Sequence, residues 1–216
     1  MNETPITTVH VARPTEPEAP VISPEVQRLT ERSRRLYPTL NLSDGEYVLR
    51  AVRRHPIGIV MPLALGVLLI SLSLSVAFNY GDIVARTGMP GVIASPGFMT
   101  VPLWVFSAIV ALGMAIAYYV YVQNKFFLTN ESVIQEIQTS LFSRQEQTVS
   151  LGNIEDASFT QKGIIQQVFN YGDIRLSTEG DETTYRFSYV AGPKQHIASL
   201  NNAVEAFKNG RPVSDD

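Results

Sequence analysis

The stretch Pro56-Ile-Gly-Ile-Val-Met-Pro-Leu-Ala-Leu-Gly-Val-Leu-Leu-Ile-Ser-Leu-Ser-Leu-Ser-Val-Ala-Phe-Asn-Tyr80 contains no charged residue, and neither does the run from Thr87 to Asn124. The hydrocarbon core of a bilayer is about 30 Å thick, and an α-helix needs roughly 20 apolar residues to cross it. Both runs are long enough, so the pattern predicts a transmembrane hairpin with spans at 56–80 and 101–123 and an extracytoplasmic loop at 81–100. Thirteen residues between Ile57 and Phe78 are Leu, Ile, Val or Phe, as are ten between Val101 and Val122. At roughly 0.3 to 0.6 kcal/mol each, they favour insertion by about 4 to 8 kcal/mol for the first span and about 3 to 6 kcal/mol for the second.

The flanks give an orientation. Arg50, Arg53 and Arg54 precede the first span and Lys125 closes the second, whereas the loop between carries only Asp82 and Arg86. Basic residues stay on the cytoplasmic side, so both termini are expected there. No cleavable signal pattern precedes the first span, which is then a retained anchor. Trp104 at one end of the second span and Tyr118, Tyr119 and Tyr121 at the other complete an expected interfacial belt with those basic residues. Ser107, Ala111 and Ala115 share one helical face, as do Ser71 and Ser75. Such small stripes allow close approach, within the hairpin or between protomers of a homo-oligomer. Neither span holds an ionisable Asp, Glu, Lys, Arg or His, which argues against a transporter with a charged pathway.

Outside the spans, composition removes several chemistries. The chain has no cysteine, which excludes disulfides, thiolate metal sites and cysteine nucleophiles. Its histidines, His10, His55 and His196, are widely separated in a tail, at a membrane boundary and in an expected helix, so no metal centre and no cofactor are expected. Residues 1–24 are proline-rich and read as a disordered cytoplasmic tail. Residues 25–55 form a basic juxtamembrane segment, and the seven arginines of 26–55 outnumber Glu31, Asp44 and Glu46. Residues 125–216 carry eight basic and twelve acidic side chains, the wrong sign for nucleic acid.

After Lys125 the period changes to two. Thr148–Leu151, Ala157–Phe159, Ile174–Leu176 and Tyr185–Tyr189 alternate apolar and polar residues, the mark of strands with one buried face. Gly152-Asn153, Asn170-Tyr-Gly172 and Glu179-Gly180-Asp181-Glu182 read as turns between them. Ile197, Leu200, Val204 and Phe207 then fall on one face of a helix over about Pro193 to Lys208, with Gly210 as a stop and 210–216 as a tail. The fold class is α+β: a two-helix transmembrane hairpin, then a bent sheet or barrel at 124–209 with a C-terminal capping helix. Val149, Leu151, Ile174, Leu176 and Phe187, with the four helix residues, are its expected core.

Phe127-Leu-Thr-Asn-Glu-Ser-Val-Ile134, Val149-Ser-Leu-Gly-Asn-Ile-Glu-Asp156 and Gly163-Ile-Ile-Gln-Gln-Val-Phe-Asn-Tyr-Gly172 resemble the bacterial pleckstrin-homology (PH) family. Asp44-Gly-Glu-Tyr-Val-Leu-Arg-Ala-Val-Arg-Arg-His-Pro56 is similar to the segment leading into that family's membrane hairpin. The resemblance covers about Leu42 to Phe207. It implies seven strands in a strongly bent sheet with a helical cap at the cytoplasmic face of a bacterial inner membrane, and no enzymatic activity. Leu128-Thr-Asn130 would be a strand end and Tyr171-Gly172 a tight turn.

The remaining polar residues form no evident reaction centre. Glu155 and Asp156 are adjacent, and adjacent strand residues point to opposite faces. Lys162 before Gly163 is a weak phosphate signal, and Ser177 and Ser188 have no base at a recognisable spacing. Leu141-Phe142-Ser143-Arg144 reads as an ordinary turn with an apolar tip, with shallow lipid insertion as the other reading. The basic cluster of phosphoinositide-binding PH domains reduces here to Lys125 and Arg144, with Glu131 and Glu136 between. The expected role is therefore a non-enzymatic, membrane-anchored platform for an unidentified protein partner. Behind it stand a subunit of an oligomeric or pore-forming complex, and lipid-headgroup sensing.

Overall fold

The computed structural model describes residues 22–178 and 184–213. Most of the expected N-terminal tail with His10, the Glu179–Glu182 turn and the last three residues lie outside them. In chain order the elements are α1 (Pro24–Leu36), β1 (Val48–Arg53), α2 (Ile57–Thr87) and α3 (Pro96–Gln123). Then come β2 (Lys125–Thr129), β3 (Ser132–Gln138), β4 (Arg144–Ser150), β5 (Ile154–Thr160), α4 (Gly163–Val168), β6 (Tyr171–Thr178), β7 (Thr184–Ala191) and α5 (Pro193–Lys208).

Helices α2 and α3 are long and apolar enough to cross a membrane. Both outrun the predicted spans, α2 past Tyr80 and α3 upstream of Val101, so the expected loop contracts to residues 88–95. Gly88 ends α2 in the left-handed region at φ 65°, a conformation glycine adopts without steric cost. Pro96 starts α3 at its first turn, where a missing N–H costs nothing. The two helices pack along each other, with Ile59, Gly66, Ser73, Ala77 and Tyr80 buried on α2 and Ser107 on α3. Ser73 Oγ donates to Leu103 O across the interface at 3.0 Å, and a Cβ on Gly66 would collide with Met114.

The strands form two antiparallel sheets, β1-β2-β3-β4 and β5-β6-β7. The sheets meet where Arg54 bridges Val190, and they do not close into a barrel: β4 and β5 remain edges. Strand β1 lies before the hairpin and β2 directly after it, with Arg53 opposite Lys125. The expected boundary at residue 124 therefore omits one strand, because the segment read as juxtamembrane is threaded into the sheet.

The core between the sheets and α5 contains Val52, Phe126, Leu128, Val149, Leu151, Ile174, Leu176, Phe187, Val190, Ile197 and Leu200. Of the remaining expected core residues, Val204 is partly buried against it and Phe207 lies at the rim, 37% exposed. Strand β2 is buried on both faces, which explains its unbroken apolar run Phe126-Phe127-Leu128. Phe127 and Ile134 face a second cluster with Leu40 and Leu42, and Tyr37 meets Phe127 edge-on at 5.0 Å. This cover follows helix α1, which is capped by Ser23 through a 3.3 Å bond from Val26 N. Helix α5 occupies the expected Pro193–Lys208 span.

Candidate functional site at the hairpin junction

The two ends of the domain are fixed by strand direction. The ends of β1, β3, β5 and β7 and the starts of β2, β4 and β6 lie next to the hairpin. At that end the chain passes twice between sheet and helix, through Arg54-His55-Pro56 and through Asn124. Asn124 Nδ2 donates to Gln138 O at 3.1 Å, which brings the β3–β4 turn to the same level.

Arg54 was expected at a lipid surface, and the structure turns it inward. Its Cζ lies 5.7 Å from the Tyr121 ring centroid and 5.5 Å from that of Phe187. Burial lowers the guanidinium pKa from its ordinary value, opposed by Tyr121, Tyr189 and the Asp173 carboxylate. Its Nε is buried with no hydrogen-bond partner among the described residues, so the two aromatic faces carry much of its stabilisation. Tyr121 is likewise no simple belt residue: its hydroxyl donates to His55 O at 2.6 Å. His55 N donates to Tyr189 O at 2.5 Å, and the rings of His55, Tyr171 and Tyr189 stack in series at 5.4 and 6.0 Å. Tyr189 is held at φ 60°, unusual for a residue with a side chain. Gly58 is required beneath this stack, since a Cβ there would strike the Tyr121 hydroxyl and the Tyr189 ring.

The other belt residues divide. Tyr118 and Tyr119 are exposed near the end of α3, and Trp104, also exposed, meets Phe78 edge-on at 6.0 Å. Arg53 is exposed at the end of β1, and Arg50 is half-buried within it. Of the small-residue stripes only Ser107 enters the hairpin contact; Ser71, Ser75, Ala111 and Ala115 face outward. The contact inside the hairpin uses other positions.

A cleft of about 180 Å³ lies between α3 and the β2–β3–β4 sheet, lined by Thr39, Tyr119, Gln123, Lys125, Glu136 and Arg144, with Gln138. It joins the two basic residues singled out in the sequence. Arg144 is ion-paired with the buried Glu136 carboxylate, which also accepts from Thr39 Oγ1 at 2.9 Å. The pair is therefore largely engaged in holding residues 37–42 onto the sheet.

At the far end a buried carboxylate fills the same holding role. Glu46 accepts from Thr129 Oγ1 at 2.6 Å, Ser132 Oγ at 2.5 Å and Ser43 N at 3.0 Å. Asn130 accepts from Tyr47 N at 2.8 Å. The Asp44-Gly-Glu and Leu-Thr-Asn segments therefore meet in space, the second as the predicted strand end. Burial, with Glu46 nearby, raises the Glu131 carboxyl pKa above the usual range. Tyr171-Gly172, by contrast, opens β6, and the preceding turn is made by Asn170 at φ 48°.

A register shift between Ile154 and Asp156 leaves Glu155 and Asp156 both exposed rather than on opposite faces. Lys162 precedes α4 with Gly163 at φ 79°, and its N–H is bonded to Gln166 Oε1. His55 lies between β1 and α2 and His196 in α5, and among the described residues no His/Cys/Asp/Glu group forms a metal cluster. The sequence reading missed the Glu46 network and the exposed apolar face of α4. The signal for the first was a buried-strand pattern ending in Thr-Asn, opposite an upstream acidic turn.

The chain matches the bacterial PH domain family over residues 57–204 and belongs to it. The match takes in the hairpin and the sheets from β2 onward, and leaves β1 outside. No curated protein and no solved structure matches the chain.

Proposed function

We propose that the protein is a membrane-anchored, non-enzymatic interaction platform at the cytoplasmic face of a bacterial inner membrane. The hairpin spans the bilayer, both termini lie in the cytoplasm, and the PH-like domain presents its open edges to a partner protein. The observation that supports this reading is the placement of β1 and β2 on either side of the hairpin. A domain joined to its anchor at two points, with Arg54 and Tyr121 between, holds a fixed attitude to the membrane. Edges β4 and β5 then stand at a set height for a partner strand to add. The buried carboxylates are tied to hydroxyls, to Ser43 N in the case of Glu46 and to Arg144 in the case of Glu136, a use in keeping with architecture rather than catalysis.

Photo-crosslinking in cells from exposed Thr148 on β4 and Glu155 on β5 tests the reading. One dominant heterologous protein captured from both edges supports it; adducts only to lipid or to a second copy contradict it.

The outward-facing Ser71, Ser75, Ala111 and Ala115 favour a second reading, an oligomeric or pore-forming subunit packed through its hairpins. Ala111→Leu should then dissociate the detergent-solubilised oligomer while leaving the sheets folded, and the parent should carry single-channel currents.

A further inference from the structure

The domain's large exposed apolar side chains are not scattered. Phe142 is 98% exposed at the β3–β4 turn beside Leu141, and Ile164, Ile165, Val168 and Phe169 are 79, 61, 70 and 54% exposed in and after α4. Both segments lie at the hairpin-proximal end. Gln138, just before the first, is bonded to Asn124 at the end of α3. Tyr171, just after the second, stacks on His55 at the start of α2.

The described distal turns, Asn130-Glu131 and Gly152-Asn153, are polar. Helix α4 is six residues long and packs mainly on β6, so its apolar face is not required by the domain core. A soluble surface seldom concentrates such a patch without a partner.

Exposed basic residues accompany the apolar tips. Arg53, Lys162 and Lys194 are exposed at the proximal end, and Lys125 lies there beside the Arg144–Glu136 pair. Glu131, Glu155 and Asp156 lie toward the other end, where Glu205 is ion-paired with Arg211 and Lys208 donates to Ile154 O. Apolar tips ringed by basic residues, level with the ends of two membrane-length helices, match the chemistry of an anionic lipid interface.

We propose that the α4 segment and the Leu141-Phe142 turn insert into the headgroup region of the bilayer that holds the hairpin, so that the domain lies on the membrane surface. This rests on the reading of α2 and α3 as membrane spans. The two loops lie beside different sheets and give the domain two shallow contacts besides the hairpin, while Lys162 and Lys194 engage anionic headgroups around them.

The absence of cysteine makes the test direct. Spin labels are placed in the full chain by Phe142→Cys, Ile165→Cys and Val168→Cys, with Asn153→Cys as the distal control and Leu68→Cys within α2. Each is reconstituted in phosphatidylcholine vesicles with and without phosphatidylglycerol. The expected result is an oxygen-to-nickel-chelate accessibility ratio several-fold higher at 142, 165 and 168 than at 153. Phosphatidylglycerol should raise it, and Lys162→Glu with Lys194→Glu should remove that increase.

A lipid-exposed label at 68 with fully aqueous labels at 142, 165 and 168 overturns insertion and leaves the spans intact. An aqueous label at 68 overturns the spans and the insertion with them. Labels at the loops shielded from oxygen and nickel alike would show a protein cover and also overturn the proposal.

Discussion

The two ends of the PH-like domain solve the burial of polar groups in opposite ways. At the distal end, Glu46 gathers donors from Ser43, Thr129 and Ser132, so that residues from both sides of the hairpin lock around one carboxylate. At the proximal end, Arg54 lies between two rings with its Nε unbonded among the described residues, and apolar side chains of α4 and the β3–β4 turn face outward. The distal end satisfies itself from within the chain. The proximal end instead leaves apolar side chains on its surface, beside the ends of α2 and α3.

The largest effect is expected at Glu46. Glu46→Ala removes the shared acceptor from two buried hydroxyls and an amide, and should cost about 3 kcal/mol. Hydrogen exchange of the β2 and β3 amides in the detergent-solubilised chain would show it as a loss of protection across the first sheet. At the junction, Arg54→Ala should cost about 1 to 2 kcal/mol by removing the cation from two aromatic faces. Its effect should concentrate at the His55 and Val190 amides, which separates it from the distal change. Tyr121→Phe deletes the bond to His55 O and should cost about 1 kcal/mol, read at the same amides.

The smallest effect is electrostatic. The Glu131 pKa is raised in the fold, so the folded state holds its proton more tightly than the unfolded chain does. Its protonated form favours folding at low pH, and that contribution is lost as pH rises through the folded value. Glu131→Gln should therefore be slightly more stable than the parent at neutral pH. The gap should close below the ordinary carboxyl range, as thermal unfolding at both pH values would show.

Much of this architecture was legible in residues alone. The charge-free runs gave both long helices, period two gave β4 to β7, and the spacing Ile197, Leu200, Val204, Phe207 gave α5 with its observed ends. Strand β1 was masked because Val48-Leu-Arg-Ala-Val-Arg53 alternates weakly and its arginines also suit a membrane flank. Its partner is 70 or more positions away, across the hairpin, where local pattern carries no signal. The helical extension over Gly81–Thr87 was missed because Asp82 and Arg86 end the apolar run without ending the helix. At the candidate site, residue type alone could not tell Arg54, enclosed by rings, from exposed Arg53. Nor could it find the α4 patch, whose Ile-Ile-Gln-Gln-Val pattern acquires meaning only beside the ends of α2 and α3.

The hairpin is inserted within one folded domain rather than placed before it. Because Arg53 pairs with Lys125, a turn of about four residues can replace 55–124 and close β1 onto β2. The direct measurement is urea unfolding of this hairpin-replaced chain beside a chain of residues 125–216 alone. The account predicts a cooperative transition for the first and little or none for the second, which lacks β1 and the Glu46 carboxylate. Equal stability of the two would contradict it.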